Sequence, residues 1–247
     1  MPTKALHRFT QRIRYYESDV ELCDLLVESF IKSPNTATNI ADNLGGSVDT
    51  HSVLTSRDNT RASRNTCGNH LRATMATAYI KDLYEDFAEF IADTMSKAAM
   101  KGVNPAIFIG DVSINVQAKD ILATSSWEGT VNLISSEIFR KLENERSTKD
   151  LVRKASTRLG LNIDNGLLDA AMPYFDTRHI LVHRDGKTDE RFRNDHPDIR
   201  LRARKIVVDL ALAKSAKTAV AALAYDIDTK IIAADLVRPQ DISGNAA

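Results

Sequence analysis

The sequence predicts an all-α protein, a helical bundle with a long N-terminal helix and a polar inserted loop, and three observations lead there. Apolar residues recur at steps of three and four through several long stretches, which is the period of a buried helix face. Strand-like patterning is confined to one short, ambiguous stretch. No tandem repeat, Gly-rich phosphate loop, Ser-x-Gly elbow or dinucleotide fingerprint occurs, which sets aside the enzyme classes built on those motifs. Helices of this kind bury their stripes against one another, and 43% hydrophobic residues in a chain of 247 suffice for a core.

The first element runs from Leu6 to Phe30. Leu6, Phe9, Ile13, Tyr16, Val20, Cys23, Val27 and Phe30 alternate steps of three and four without a slip, a heptad stripe between charged positions such as Arg8, Arg12, Glu17 and Glu28. Packing of this stripe against the rest of the chain is favoured over a coiled coil with a partner, because so few heptads hold a free-standing coil only marginally. From Ser33 to Thr66 the composition turns to Ser, Thr, Asn, Asp and Gly, which reads as a long loop or insertion. Leu44, Val48, Val53 and Leu54 are its candidates for a turn tucked onto the body. Its arginines, Arg57, Arg61 and Arg64, are solvated charges or contacts for phosphate.

Asn69 is the expected cap of a principal core helix to about Ala99, with Met75, Tyr79, Leu83, Phe87, Phe90, Ile91 and Met95 inward. Lys101 to Pro105 stops it. Ala106 to Leu122, including Val112, reads as irregular chain or short helices. Ser126 starts the next helix through Trp127, Val131, Ile134, Ile138 and Leu142, and Asn144-Glu145-Arg146 ends it. Thr148 caps another, with Leu151, Val152, Ala155 and Leu159 apolar and Gly160 as the stop. Asn165-Gly166 is a turn signal before a helix from Leu167 to His183, which Pro173 bends. Arg184 to Arg204 is an exposed connection. Asp209 caps a last helix with Leu212, Ala216, Val220, Leu223, Ile227 and Ile231 on one face, and the residues after Ala233 form a frayed tail. The organisation expected is a helix over 1–32, a polar segment over 33–68, a helical domain over 69–233 and a tail over 234–247.

Lys and Arg number 33 against 33 Asp and Glu, a net charge of zero, so any nucleic-acid contact is local rather than a global basic coat. Cys23 and Cys67 sit in no disulfide or zinc spacing, the first residues hold no apolar signal segment, and no apolar run reaches the roughly 18 residues of a membrane span. A soluble, cytoplasmic protein without membrane contact is the expectation.

The chemistry concentrates in Tyr174 to Lys187, Tyr-Phe-Asp-Thr-Arg-His-Ile-Leu-Val-His-Arg-Asp-Gly-Lys. His179 and His183, four apart, share a helix face, whereas Arg178 and His183, five apart, stand roughly 140° from each other. Gly186 is the expected left-handed cap. Three readings stay open on these residues. One is a core helix whose last turn carries cations that suit the negative end of its dipole. Another is a metal site on the two histidines, which lacks the Glu of H-E-x-x-H and needs a third ligand from His196, Asp185 or Asp189. The third is acid–base chemistry on a phosphodiester, with a histidine moving the proton and an arginine neutralising the phosphate.

Arg178, the polar His179 beside it, His183 four residues further and Gly186 downstream resemble the R-x4-H signature of HEPN domains. Ile138 to Leu161 is similar to the helix pair that precedes the motif in bacterial HEPN proteins of the RiboL-PSP type. Arg204-Lys205-Ile206-Val207-Val208-Asp209 and its Ala-rich helix resemble the end of those domains. The likeness spans about 69–233. It implies a HEPN-like bundle and a metal-independent endoribonuclease without cofactors, in which two copies of the motif helix line one cleft of a homodimer. Arg178 and His183 are then catalytic, His179 orients them or shares proton transfer, and Arg184 and Lys187 contact the RNA backbone. By analogy, such prokaryotic proteins often serve in toxin–antitoxin or antiphage systems, with an antitoxin or other regulatory protein as partner. The alternative is a non-catalytic HEPN module that dimerises and binds RNA, a nucleotide or a protein. A third reading is a structural helical protein that self-associates through the stripe from Leu6 to Phe30.

Overall fold

A computed structural model describes residues 1–34, 36–111, 113–144 and 147–244. These residues form an all-α protein whose single sheet is a ribbon of two-residue strands. Helix α1, Lys4–Lys32, starts where the Thr3 hydroxyl accepts the Leu6 N–H. Its heptad stripe is buried, with Tyr16 and Phe30 half-buried at the margins, and its main partner is the helix Arg61–Lys101, α4, of the same chain. The stripe is therefore covered largely from within the chain.

The polar segment is more ordered than its composition suggests. It holds α2, Ile40–Asn43, and α3, Val48–Thr55, and α4, Arg61–Lys101, begins eight residues before Asn69, where Thr60 caps the Ser63 N–H. Ile40 and Ala41 dock it onto the body, because the bridge between Asn39 and Asp58 closes the loop with that face inward. Leu44, Val48 and Val53 are exposed instead. Arg64 is no phosphate contact: it is buried, and its Nη1 donates to the carbonyl and Oδ1 of Asn59. A polar residue satisfied inside is what hid these first turns of α4 from a hydropathy reading.

Short helices α5, Pro105–Ile109, and α6, Ala118–Ala123, follow as expected, with Val112 outside the described residues. Helix α7, Trp127–Glu143, is capped by Ser126, and Asn144 ends it; Glu145 and Arg146 lie outside the described residues. Trp127 is 76% exposed because it occupies the first turn, ahead of the buried run of Val131, Ile138 and Leu142. The cap of α8, Thr148–Arg158, is Ser147 rather than Thr148. Asp164 caps α9, Asn165–His183, so that Asn165 and Gly166 form its first turn rather than a separate one, and the helix continues through Pro173.

The connection after α9 is a small substructure of its own. It contains α10, Glu190–Asp195, and the antiparallel strands β1, Leu201–Arg202, and β2, Lys205–Ile206. Phe192, Ile199 and Ile206 bury themselves against Ile180 of α9, which is why a segment so rich in charge holds a shape. Helix α11, Leu210–Ala233, starts at the expected Asp209 cap, where its side chain takes the Leu212 N–H at 3.0 Å. From Ala234 to Ile242 the chain beyond it is docked, not frayed. Val237 and Asp241 are buried, Ile242 bridges Thr3, and Asp241 accepts from Lys97 at 3.1 Å and Arg238 at 2.7 Å.

Helices α1, α4, α7, α9 and α11 enclose the main core. Phe87 of α4 and Phe175 of α9 meet with ring centroids 5.1 Å apart, and Tyr84 stands edge-on to Phe175 at 5.7 Å. That aromatic contact sets the face α9 turns inward, and so which of its polar side chains remain outside. No helix among the described residues is long and apolar enough to cross a membrane.

Candidate functional site

The end of α9 positions the site. Leu168, Ala171, Met172 and Phe175 hold the helix to the core, and Asp185 and Gly186 leave it with φ of 51° and 74°. The Gly186 N–H reaches back to the carbonyl of Ile180 at 3.2 Å, the closure expected of a left-handed exit. This reversal carries the chain back alongside α9, so that α10 becomes the opposite wall of a cleft.

The cleft has a volume of about 510 Å3 and is lined by Lys149 of α8, Asp176, His179 and Arg184 at the end of α9, and Arg191 and His196 of the α10 segment, among others. Of the residues singled out from sequence for catalysis or RNA contact, it brings together His179 and Arg184, and beside them Asp189 and His196, which the sequence offered as third metal ligands. His183 lies outside the lining but close by, exposed to solvent, with its ring centroid 4.6 Å from that of His179. Lys187 is exposed on the far side of the exit and has no side-chain hydrogen bond or ion pair among the described residues, while its backbone bridges Lys205.

Arg178 points elsewhere. Its guanidinium lies over the Tyr84 ring, 4.3 Å from the centroid, and pairs with Glu85 of α4. The angular separation between Arg178 and the two histidines is thus real: the arginine faces α4 and the imidazoles face solvent.

Partial burial, followed by the positive charges of His183 and Arg184, holds His179 below the usual histidine range, against the opposing pull of Asp176. At neutral pH it is a neutral imidazole able to accept a proton. Arg184 pairs with Asp189, whose carboxyl is held low first by the Phe192 N–H and then by Arg184. Arg191 pairs with Asp195 at 3.4 Å and Lys149 with Asp169. Each cation at the mouth is engaged by a partly exposed carboxylate, an arrangement of small net stability that a phosphate can exchange into.

The pair that sequence did not single out is His196 with Asp176. His196 Nε2 and Asp176 Oδ2 are 2.8 Å apart, the imidazole is 10% exposed, and its ring stands edge-on to Phe192 at 4.9 Å. His196 entered the sequence reading only as a possible third metal ligand; no group of three His, Cys, Asp or Glu side chains placed to hold a metal occurs among the described residues. The available signal was the spacing of Asp176 and His179, three apart and therefore on one helix face. The partner across the cleft depends on the chain reversal at Asp185 and Gly186.

The chain matches no family model, and the comparisons found no matching curated protein or solved structure. What defines the molecule is thus its own geometry: an all-α bundle with an open, histidine-bearing cleft at the end of one core helix.

Proposed function

We propose that this protein is a metal-independent endoribonuclease that cuts RNA by attack of a ribose 2′-hydroxyl on the adjacent phosphate. The observation that carries the reading is His179, an exposed imidazole kept neutral in a cleft whose mouth is ringed by Lys149, Arg184 and Arg191. An imidazole in that state takes the hydroxyl proton, and cations that trade a carboxylate for a phosphate hold the backbone in place. RNA is the substrate because DNA lacks the nucleophile. His183 stands beside His179, with ring centroids 4.6 Å apart, and Lys187 extends the basic surface past the helix end. Arg178 joins the site, as the HEPN resemblance implies, by exchanging Glu85 for a phosphate; Glu85 is 60% exposed, so that exchange needs no opening of the core. Growth arrest by RNA cleavage, as in toxin–antitoxin and antiphage systems, is the setting this activity suits.

A second reading, a non-catalytic HEPN module that binds RNA or a protein, is favoured by the present engagement of Arg178 with Tyr84 and Glu85. One experiment separates the two. Purified wild type, His179→Ala and His183→Ala are incubated with cellular RNA in EDTA and the fragment ends analysed. Cleavage by wild type to 2′,3′-cyclic phosphate and 5′-hydroxyl ends, reduced about 10²–10⁴-fold in His179→Ala, is the expected result. RNA bound but left intact by wild type decides for the binding module.

A further inference from the structure

The cleft holds a second imidazole that the proposed chemistry needs and the motif does not supply. Transfer of a phosphoryl group from O5′ to O2′ moves two protons, one off the nucleophile and one onto the leaving oxygen. His179 serves the first. His183 is its neighbour on the same turn-to-turn face and lies outside the cleft lining, whereas His196 comes from the opposite wall.

The geometry points to His196 as the group that protonates the leaving 5′-oxygen, with Asp176 as its positioning residue; this rests on the ribonuclease reading and adds to it the second half of the reaction. Three features place His196 in that role. Its Nε2 is tied to Asp176 at 2.8 Å, which fixes the ring and leaves Nδ1 as the nitrogen free to exchange a proton. Nδ1 has no hydrogen-bond partner among the described residues, and the imidazole lines the cleft. Asp176 and His179 are three apart on α9, neighbours on one face, so the residue bound by Asp176 is also brought to His179. The carboxylate compensates the positive charge of an imidazolium at His196, as an aspartate does for a catalytic histidine elsewhere.

The step balances without metal, oxidant or consumed water. Neutral His179 takes the 2′-hydroxyl proton as O2′ bonds to phosphorus. The P–O5′ bond breaks with its electron pair leaving on O5′, and His196 delivers the proton from Nδ1. The products are a 2′,3′-cyclic phosphate and a 5′-hydroxyl, and exchange with solvent returns both imidazoles to their starting states. A cleft of about 510 Å3 lies within the roughly 300–1,000 Å3 of small-ligand sites, room for the nucleotides on either side of one phosphate. The charges that face His196 come from three elements and offset one another: Asp176 and Arg184 at α9, Asp189, Arg191 and Asp195 at α10, and Lys149 on α8.

The test uses leaving-group dependence. Wild type, His179→Gln, His196→Gln and Asp176→Asn are assayed in EDTA on a fluorogenic RNA oligonucleotide and on uridine 3′-(4-nitrophenyl phosphate), whose leaving group departs without a proton. His196→Gln is expected to lose about 10²–10⁴-fold on RNA, to keep near wild-type turnover of the nitrophenyl ester, and to lose the alkaline limb of the pH–kcat profile. His179→Gln is expected to lose both substrates. Equal losses on both substrates in His196→Gln, or no loss, overturn the assignment while leaving the nuclease standing. Inactivity of wild type on both overturns the nuclease and this assignment with it. Should His196→Gln fail to fold by circular dichroism, Asp176→Asn decides: a loss confined to RNA supports the assignment, and a loss shared by both substrates, or none, overturns it.

Discussion

The guanidinium of Arg178 sits over the ring of Tyr84, 4.3 Å from its centroid, and the two residues tie α9 to α4 where Tyr84 also stands edge-on to Phe175. A cation over an aromatic face contributes about 0.5–2 kcal/mol, and the pair with partly exposed Glu85 adds at most about 1 kcal/mol. Arg178 Nε is buried without a partner, which offsets part of that gain. Arg178→Ala is therefore expected to lower stability by about 1 kcal/mol, or roughly 2–4 °C in Tm, by thermal or urea unfolding. Glu85→Gln should cost less than that and, by removing the carboxylate that competes with phosphate, should tighten RNA binding measured by fluorescence anisotropy. Unchanged or weaker RNA binding in Glu85→Gln would remove Arg178 from the phosphate site.

His179 titrates in a field that can be dissected. Burial is the largest cause of its lowered pKa and the charge of His183 the next. His183→Ala should move the His179 pKa part of the way back toward the ordinary histidine value, read by NMR from the imidazole nitrogens. The sign for stability follows: a histidine with a depressed folded pKa contributes stability above its unfolded pKa that is lost as pH falls through the folded one. His179→Gln should thus become more stable relative to wild type as the solution is acidified from pH 7 toward the depressed His179 value.

How far the chain could be read in advance depends on where each polar group ends up. The stripe from Leu6 to Val27 and the faces of α4 and α11 were legible because apolar period alone decides them. The caps at Ser126 and Asp209 were legible because a short polar side chain before an apolar run has one common use. Arg64 defeated the reading, since a buried arginine satisfied by Asn59 looks in sequence like a solvated charge. The C-terminal segment misled likewise, because its anchors, Ile242 and Asp241, answer to Thr3 and Lys97 far away in sequence. At the site, the helical spacing of His179 and His183 was visible, while the pairing of Asp176 with His196 was not, as it exists only after the chain reverses at Gly186.

Asp228 on α11 and Thr3 before α1 join the two ends of the chain. Asp228 is 3% exposed and accepts the Thr3 N–H at 3.2 Å together with the Thr3 hydroxyl. Burial pushes its carboxyl above the usual range, a shift the hydrogen bonds from Thr3 oppose without cancelling. A raised folded pKa gives stability that is full below the unfolded pKa and declines as pH rises through the folded value. Asp228→Asn carries no such titration. Urea unfolding between pH 4 and 7 should accordingly show the stability of wild type relative to Asp228→Asn falling as pH rises, and a difference that stays flat or rises would mean that the carboxyl is not penalised by burial.

Gly68 shows how closely α1 and α4 approach. A Cβ at this position would stand 2.7 Å from Val27 Cγ1 and 3.3 Å from Ile31 Cδ1. Helix propensity favours alanine over glycine by about 1 kcal/mol, so on an open helix the substitution would stabilise. Here the obstructing methyl belongs to a β-branched residue held in one rotamer by its own helix, so it cannot swing aside and the helices themselves must shift. Overpacking of that kind costs about 1–3 kcal/mol, which outweighs the propensity gain. Gly68→Ala is expected to lower the urea midpoint, and Gly68→Ala combined with Val27→Ala should recover part of the loss by making room for the new methyl. A midpoint raised by Gly68→Ala alone would show that the two helices do not pack this closely in solution.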